Sequence, residues 1–205
     1  MVRLLVLACL IWAGPSLAAP PDGLNATLRG LQDRAAHIAS LSCSFTQEKH
    51  LAMFAAPVTS TGRFLFARPD KLRWEYFSPA RDGFVLDGGS GARWTGESDA
   101  RQTFSLRDDP AMRLVARQLL AWTTFDLPWL LREYEMKLES RTPTVLSLTP
   151  RQSGTAAVLE SLIIEFSPES DTVRRLELHE PDGDFTRIIF ANTTVNGPVD
   201  PALFR

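Results

Sequence analysis

Disulfide chemistry has almost nothing to work with in this chain, whose 205 residues include two cysteines, Cys9 and Cys43. Cys9 falls in an apolar leader, so a processed chain keeps Cys43 alone and forms no internal bridge. A surplus of charge is missing too: 22 basic residues against 24 acidic give a formal net charge of −2. No Lys/Arg cluster stands ready to oppose a phosphate backbone, which argues against nucleic acid as a partner. The three histidines, His37, His50 and His179, are far apart in sequence and lack metal-ligand spacing. There is no Gly-x-Ser-x-Gly, and the run from Gly88 to Gly91 lacks the Lys-Ser/Thr of a phosphate loop. Asp82 with Asp87, and Asp108 with Asp109, sit in turn-like contexts where aspartate serves the backbone. A hydrolase needs a nucleophile and a base, and neither is advertised. The expectation is a protein without catalysis, cofactor or metal.

Long hydrophobic runs are absent as well. The longest, Leu4 to Trp12, is about ten residues, against roughly 20 for a membrane-spanning helix. Arg3 precedes it, and Gly14-Pro15-Ser16-Leu17-Ala18-Ala19 follows with the small residues of a signal-peptidase site. Residues 1–19 therefore read as an export leader cut after Ala18 or Ala19, and the periplasm is the expected compartment. Lipidation at Cys9 is the competing reading, but it leaves only eight residues before the cysteine and ignores the small residues further on. No fixed-period repeat, low-complexity tract or long linker divides the rest. Residues 20–205 are expected to form one domain, working as a monomer and held together by a hydrophobic core alone.

What is present is a change of period. Leu24, Leu28, Leu31, Ala35 and Ile38 recur every three or four residues, which predicts a helix starting near Asp22. From Ser42 the period becomes two. Phe64 and Phe66 lie on one side of a strand at 62–66, and Leu72, Trp74 and Tyr76 on one side of the next at 72–77. Arg68-Pro69-Asp70-Lys71 turns between them. Further strands are expected near Phe84 to Asp87 and around Trp94, separated by a glycine-rich reversal. Helical periodicity returns from Pro110 to Trp122, and Asp126 is placed to cap a short helix containing Trp129, Leu130 and Tyr134. Strands resume at 134–140, 144–149, 159–167, 173–179 and 185–195, alternating in the way of a sheet wet on one face. The fold class that follows is mainly β with α: a long, strongly curved antiparallel sheet with helices over its concave face.

Periodicity cannot say whether the large side chains on that face fill a core or line a cavity, since both need the same residue types. The segment Leu119 to Leu131 is denser in apolar bulk than a covering helix requires, and Thr123-Thr124 and Pro128 break it as a movable lid would be broken.

Several of these residues form a pattern. Ser44-Phe45-Thr46-Gln47, then Gly62 to Tyr76 with the Arg68-Pro69 turn and Trp74, then Pro79, Val85-Leu86-Asp87-Gly88 and Trp94, resemble the periplasmic outer-membrane lipoprotein carriers, the LolA family. The Phe-x-Gln element and the Arg-Pro turn six residues before tryptophan carry the resemblance, which runs from the first helix to Phe204. It implies an incomplete β-barrel under a helical lid. The cavity so formed shields acyl chains and hands them on, between an inner-membrane donor and an outer-membrane acceptor, with no cofactor. Arg68 matches the arginine that helps to hold the lid shut, Leu72 and Phe84 match apolar cavity positions, and Trp74 the tryptophan of the same strand. The candidate cavity is then Phe64, Phe66, Leu72, Trp74, Tyr76, Phe84, Leu119, Trp122 and Trp129. Two departures stand out: Cys43 where a small residue is usual, and an ending at Pro201-Ala202-Leu203-Phe204-Arg205 where the family continues into a further strand and tail. The shorter ending favours a second reading, a carrier of a different lipid or lipid-linked product, and a third is a lipid-sensing regulatory module, though such proteins usually carry a second domain for which this chain has no room.

Overall fold

A computed structural model describes residues 23–96 and 100–205. The expected leader, its cleavage site, Cys9 and the start of the first helix at Asp22 lie outside the described residues. Helix α1, Gly23–Ala36, buries Leu28, Leu31 and Ala35 along one stripe. Ile38 belongs to that stripe by spacing but lies past the helix end, in a turn where its N–H donates to the Ala35 carbonyl, and it is buried all the same.

Strands β1, Ser40–His50, and β2, Val58–Ala67, lead into β3, Lys71–Ser78, through the expected turn. Strands β4, Gly83–Asp87, and β5, Ser90–Trp94, close a tight hairpin whose Gly88 sits at φ +67°, a left-handed conformation natural to glycine. A sixth strand, β6, Gln102–Ser105, is too short to announce itself by periodicity. Helices α2, Pro110–Thr123, and α3, Leu127–Glu133, follow. Each begins where its sequence predicts: Asp109 accepts from the Met112 N–H and Asp126 from the Trp129 N–H, with a proline in each first turn. Between them Phe125 adopts φ +47°, an uncommon and strained conformation for an aromatic residue. Tyr134, expected at the helix end as well as the strand start, is extended and opens the strand. The remaining elements are β7 Tyr134–Arg141, β8 Thr144–Pro150, a one-turn α4 Ser153–Ala156, β9 Ser161–Phe166, β10 Val173–His179 and β11 Phe185–Val195, with a 3-10 turn at Pro201–Phe204.

All eleven strands join one curved antiparallel sheet in the order β6-β5-β4-β3-β2-β1-β11-β10-β9-β8-β7. The first strand lies at its centre, with Phe45 opposite Gly62 of β2 and opposite Phe190 of β11. The sheet ends at β6 and β7, and α2 with α3 is the connection that crosses from one end to the other. An incomplete barrel with helices over its mouth is thus a direct result of connectivity.

The two faces differ in chemistry. Inside, Leu28 of α1, Phe66, Leu72, Leu86, Leu130, Leu146, Leu148, Leu162 and Ile164 are almost wholly buried. Outside, Arg175 bridges Glu165 and Glu177, and Arg187 bridges Glu177 and Glu48. Burial alone would raise the Glu177 carboxyl, but hydrogen bonds from Arg187 and His179 and the nearby Arg175 hold it below the usual carboxylate range. The last residues cover the outer face of β3 and β4: Phe204 is buried, and the Leu203 carbonyl accepts from Arg73 at 2.9 Å.

Candidate functional site

The apolar stripe on α2 packs on the core at its Trp122 end and meets open space along the rest. Met112, Val115, Leu119 and Trp122, the residues of its helical period, line an open groove of about 440 Å³ together with Trp74, Tyr76, Phe84, Leu178 and Ile188 of the sheet. α2 buries Ala116, Ala121 and, within the stripe, Trp122, while Val115 is 40% exposed. The groove has polar groups at its margin, among them Gln47, Asp82, Arg93 and Gln118. Its volume falls in the range typical of small-molecule pockets, about 300–1,000 Å³.

On the other side of Trp74, Leu119 and Trp122 lies a second, much smaller hollow of about 50 Å³. Leu31, Ala35, Ile38, Leu41, Cys43, Phe64, Phe125, Phe166, Val173, Leu176 and Phe190 supply the rest of its apolar wall, with Thr123, Asp171 and Thr172 as its polar members. It has room for one or two waters and no acyl chain, because a water's share of the liquid is about 30 Å³. Trp74, Leu119 and Trp122 form the partition, since they line both hollows. Trp74 is braced by a cluster of rings: Phe45 stacks on it at 4.4 Å, with Phe64, Tyr76 and Phe190 within 6.3 Å.

Of the nine candidate cavity residues, Phe64 faces the smaller hollow, Tyr76 and Phe84 the groove, and Trp74, Leu119 and Trp122 both. Phe66, Leu72 and Trp129 are placed elsewhere. Phe66 pairs with Leu72 across β2 and β3, and Leu72 with Leu86 of β4, so both are sealed at 0% exposure in the packed part of the concave face. Trp129 packs its edge on Tyr134 under the Arg117 guanidinium. The wall contributed by the second half of the sheet, Phe166, Leu176 and Phe190, was not singled out by the sequence, where strand alternation is the only signal they give.

Arg68 sits at the hairpin turn and reaches α1. Its Nε donates to the Ile38 carbonyl at 2.6 Å and its Nη2 to the Ala35 carbonyl at 2.8 Å, a cationic cap at the end of α1 that favours the helix dipole there. Among the described residues its hydrogen bonds go to this helix end and not to α2 or α3. Arg68→Leu is expected to cost about 2 kcal/mol, the lower end for two charge-assisted bonds because the residue is exposed. Hydrogen exchange should quicken first in the last turn of α1; protection unchanged there would show that the contacts bear no load.

Titratable groups near the site are committed or silenced. Burial pushes the Cys43 thiol up to about 12, so it carries almost no thiolate and serves as packing. The fold brings His50 and His179 together despite their distance in sequence: they stack on the Phe185 ring at 4.1 and 5.3 Å, and each approaches a glutamate. Glu180, Asp182 and Asp184 gather their carboxylates in the β10–β11 turn, but Glu180 pairs with Lys49 and Asp184 accepts from the Ala52 N–H. No helix among the described residues is long and apolar enough to cross a membrane.

This geometry has counterparts. Residues 36–205 match the family model described as outer membrane lipoprotein carrier protein LolA. A protein of Methylococcus capsulatus named outer-membrane lipoprotein carrier protein is 28% identical over 98% of this chain and 91% of its own length. An uncharacterised conserved protein from Thermus thermophilus shares the fold with a TM-score of 0.55 at 9% identity, over 87% of this chain and 93% of that one. MucB in the Pseudomonas aeruginosa MucA/MucB complex shares it with a TM-score of 0.51 at 18% identity; 86% of this chain is covered but only 58% of that one.

Proposed function

The chain belongs to the LolA family of outer membrane lipoprotein carriers, and from that premise we propose that it shields acyl chains beneath α2 and releases them to a membrane partner, without catalysing a reaction. The observation that carries the reading is the apolar stripe of α2, whose Met112, Val115 and Leu119 border an open groove with the buried Trp122 at its inner wall. Burying one methylene is worth about 0.8 kcal/mol, so a carrier that offers this surface offsets most of the cost of taking a chain through water. The smaller hollow has no room for a chain while the helices stay down. Loading therefore begins in the groove and proceeds as α2 and α3 lift at the strained elbow around Phe125. Arg68 keeps α1 in place while this happens, and so helps to define the closed state.

In this reading the chain works in the periplasm after loss of its leader, as a monomer, between an inner-membrane donor and an outer-membrane acceptor. The cargo is the acyl part of a lipoprotein or of another lipid. The test is to purify the exported protein without detergent, extract it and identify bound lipid by mass spectrometry, then titrate the stripped protein with acyl lipid. Stoichiometric lipid that rebinds is the expected result. Protein that emerges lipid-free and fails to quench or shift a lipid-displaceable hydrophobic probe would overturn it.

A further inference from the structure

Polar atoms around the two hollows are nearly all spoken for. Tyr76 donates to Gln47 at 2.9 Å, Arg93 is held by Gln102 and Asp109, and Asp82 accepts from the Gly96 N–H. Around the smaller hollow Thr123 donates to the Leu119 carbonyl, Thr172 is bonded to Ser170, and Asp171 is paired with Arg34. The exception is Trp122. Its Nε1–H is buried without an acceptor, the one buried side-chain polar atom of the described residues in that state. The residue is itself 8% exposed and forms part of the partition between groove and hollow.

An indole nitrogen is a donor only and usually finds a partner when buried. Leaving it unpaired carries a desolvation penalty, and such groups call for a functional explanation. The neighbouring tryptophan of the partition, Trp74, and the Phe45 and Phe64 rings supply no acceptor to it. We propose that Trp122 is a recognition residue: its Nε1–H donates to the carbonyl oxygen at the head of a bound acyl chain. This rests on the carrier reading above and deepens it. The chemistry selected is a strong acceptor, the ester or amide carbonyl oxygen of an acyl lipid, with its hydrocarbon tail lying along the apolar partition. A bare hydrocarbon fills the same space and leaves the donor unpaired, and an ether lipid offers it only a weaker acceptor, so the carrier distinguishes acylated cargo from grease in general.

The experiment compares ester-linked and ether-linked phosphatidylglycerol of matched chains, together with a synthetic acylated lipopeptide, on wild type and on Trp122→Phe. Using the ratio of affinities within each protein removes any general loss of packing in the variant. Wild type should hold the ester lipid about tenfold more tightly than the ether lipid, the worth of one hydrogen bond, and Trp122→Phe should hold them equally. The lipopeptide should lose about tenfold in the variant, and whichever acyl probe binds wild type more tightly names the source of the carbonyl. In a 15N-edited proton spectrum the Trp122 indole resonance should move downfield with ester lipid and not with ether lipid. Equal binding of the two by wild type, or an ester preference that survives in Trp122→Phe, overturns the assignment while leaving the carrier standing. Failure of wild type to bind any of the three overturns the carrier reading itself.

Discussion

Trp74→Ala is expected to lower stability by about 4 kcal/mol and, at the same time, to increase the protein's capacity for a hydrophobic ligand. The first effect follows from burial. Trp74 is 6% exposed and in ring contact with Phe45, Phe64, Tyr76 and Phe190, and truncating a packed tryptophan costs about 3–5 kcal/mol. For a domain of this size the midpoint of thermal unfolding should fall by roughly 8–16 °C. The second effect follows from position. Trp74 lines both the 50 Å³ hollow and the 440 Å³ groove, so its removal joins them without moving any helix. Dye binding measured well below the unfolding midpoint should rise, with the far-ultraviolet circular dichroism unchanged. A loss under about 1.5 kcal/mol, or a dye capacity equal to wild type in the folded variant, would mean that the partition is not where the structure puts it.

The same residue marks the limit of what the sequence discloses. Alternation at Phe64, Phe66, Leu72, Trp74 and Tyr76 places all five on one face of the sheet, and the structure agrees. It cannot separate Phe66 and Leu72, which are sealed, from Trp74 and Tyr76, which meet open space, because alternation encodes the face and not the depth beneath it. Two helix starts were legible: α2 from the period beginning at Pro110 and α3 from Asp126 with Pro128 after it, whereas Asp109 was readable only as a turn residue and proves to be the α2 cap. β6 was not, since four residues are too few for a period. The α2 stripe was readable as a helix face, yet only the path of the chain from β6 to β7 decides that it hangs over a groove. Arg68 could be picked out by its resemblance. Its partners at and just past the end of α1 could not, because they are backbone carbonyls 30 and 33 residues away.

Gly62→Ala is expected to destabilise the protein by about 3 kcal/mol, although replacing glycine by alanine ordinarily stabilises by about 0.4–1 kcal/mol through the unfolded chain. The sign is reversed by a close approach. A Cβ at Gly62 would lie within 2.5 Å of both the Glu75 carbonyl oxygen and the Phe45 ring, and the first of these is backbone in the paired strand β3. The register between β2 and β3 shifts at Thr61/Gly62. The second neighbour matters for function, because the Phe45 ring lies over Gly62 and stacks on Trp74 at 4.4 Å. Pushing Phe45 aside pushes on the partition, and ligand affinity should drop along with stability. Gly154→Ala is the matched control: it stands in the one-turn α4 with nothing within 4 Å of the added carbon, and should raise stability by up to about 1 kcal/mol. Denaturant melts of the two variants should move in opposite directions. If Gly62→Ala instead matches Gly154→Ala, the aromatic wall is free to yield, and the tight seat of Trp74 against Phe45 cannot be what holds the partition in place.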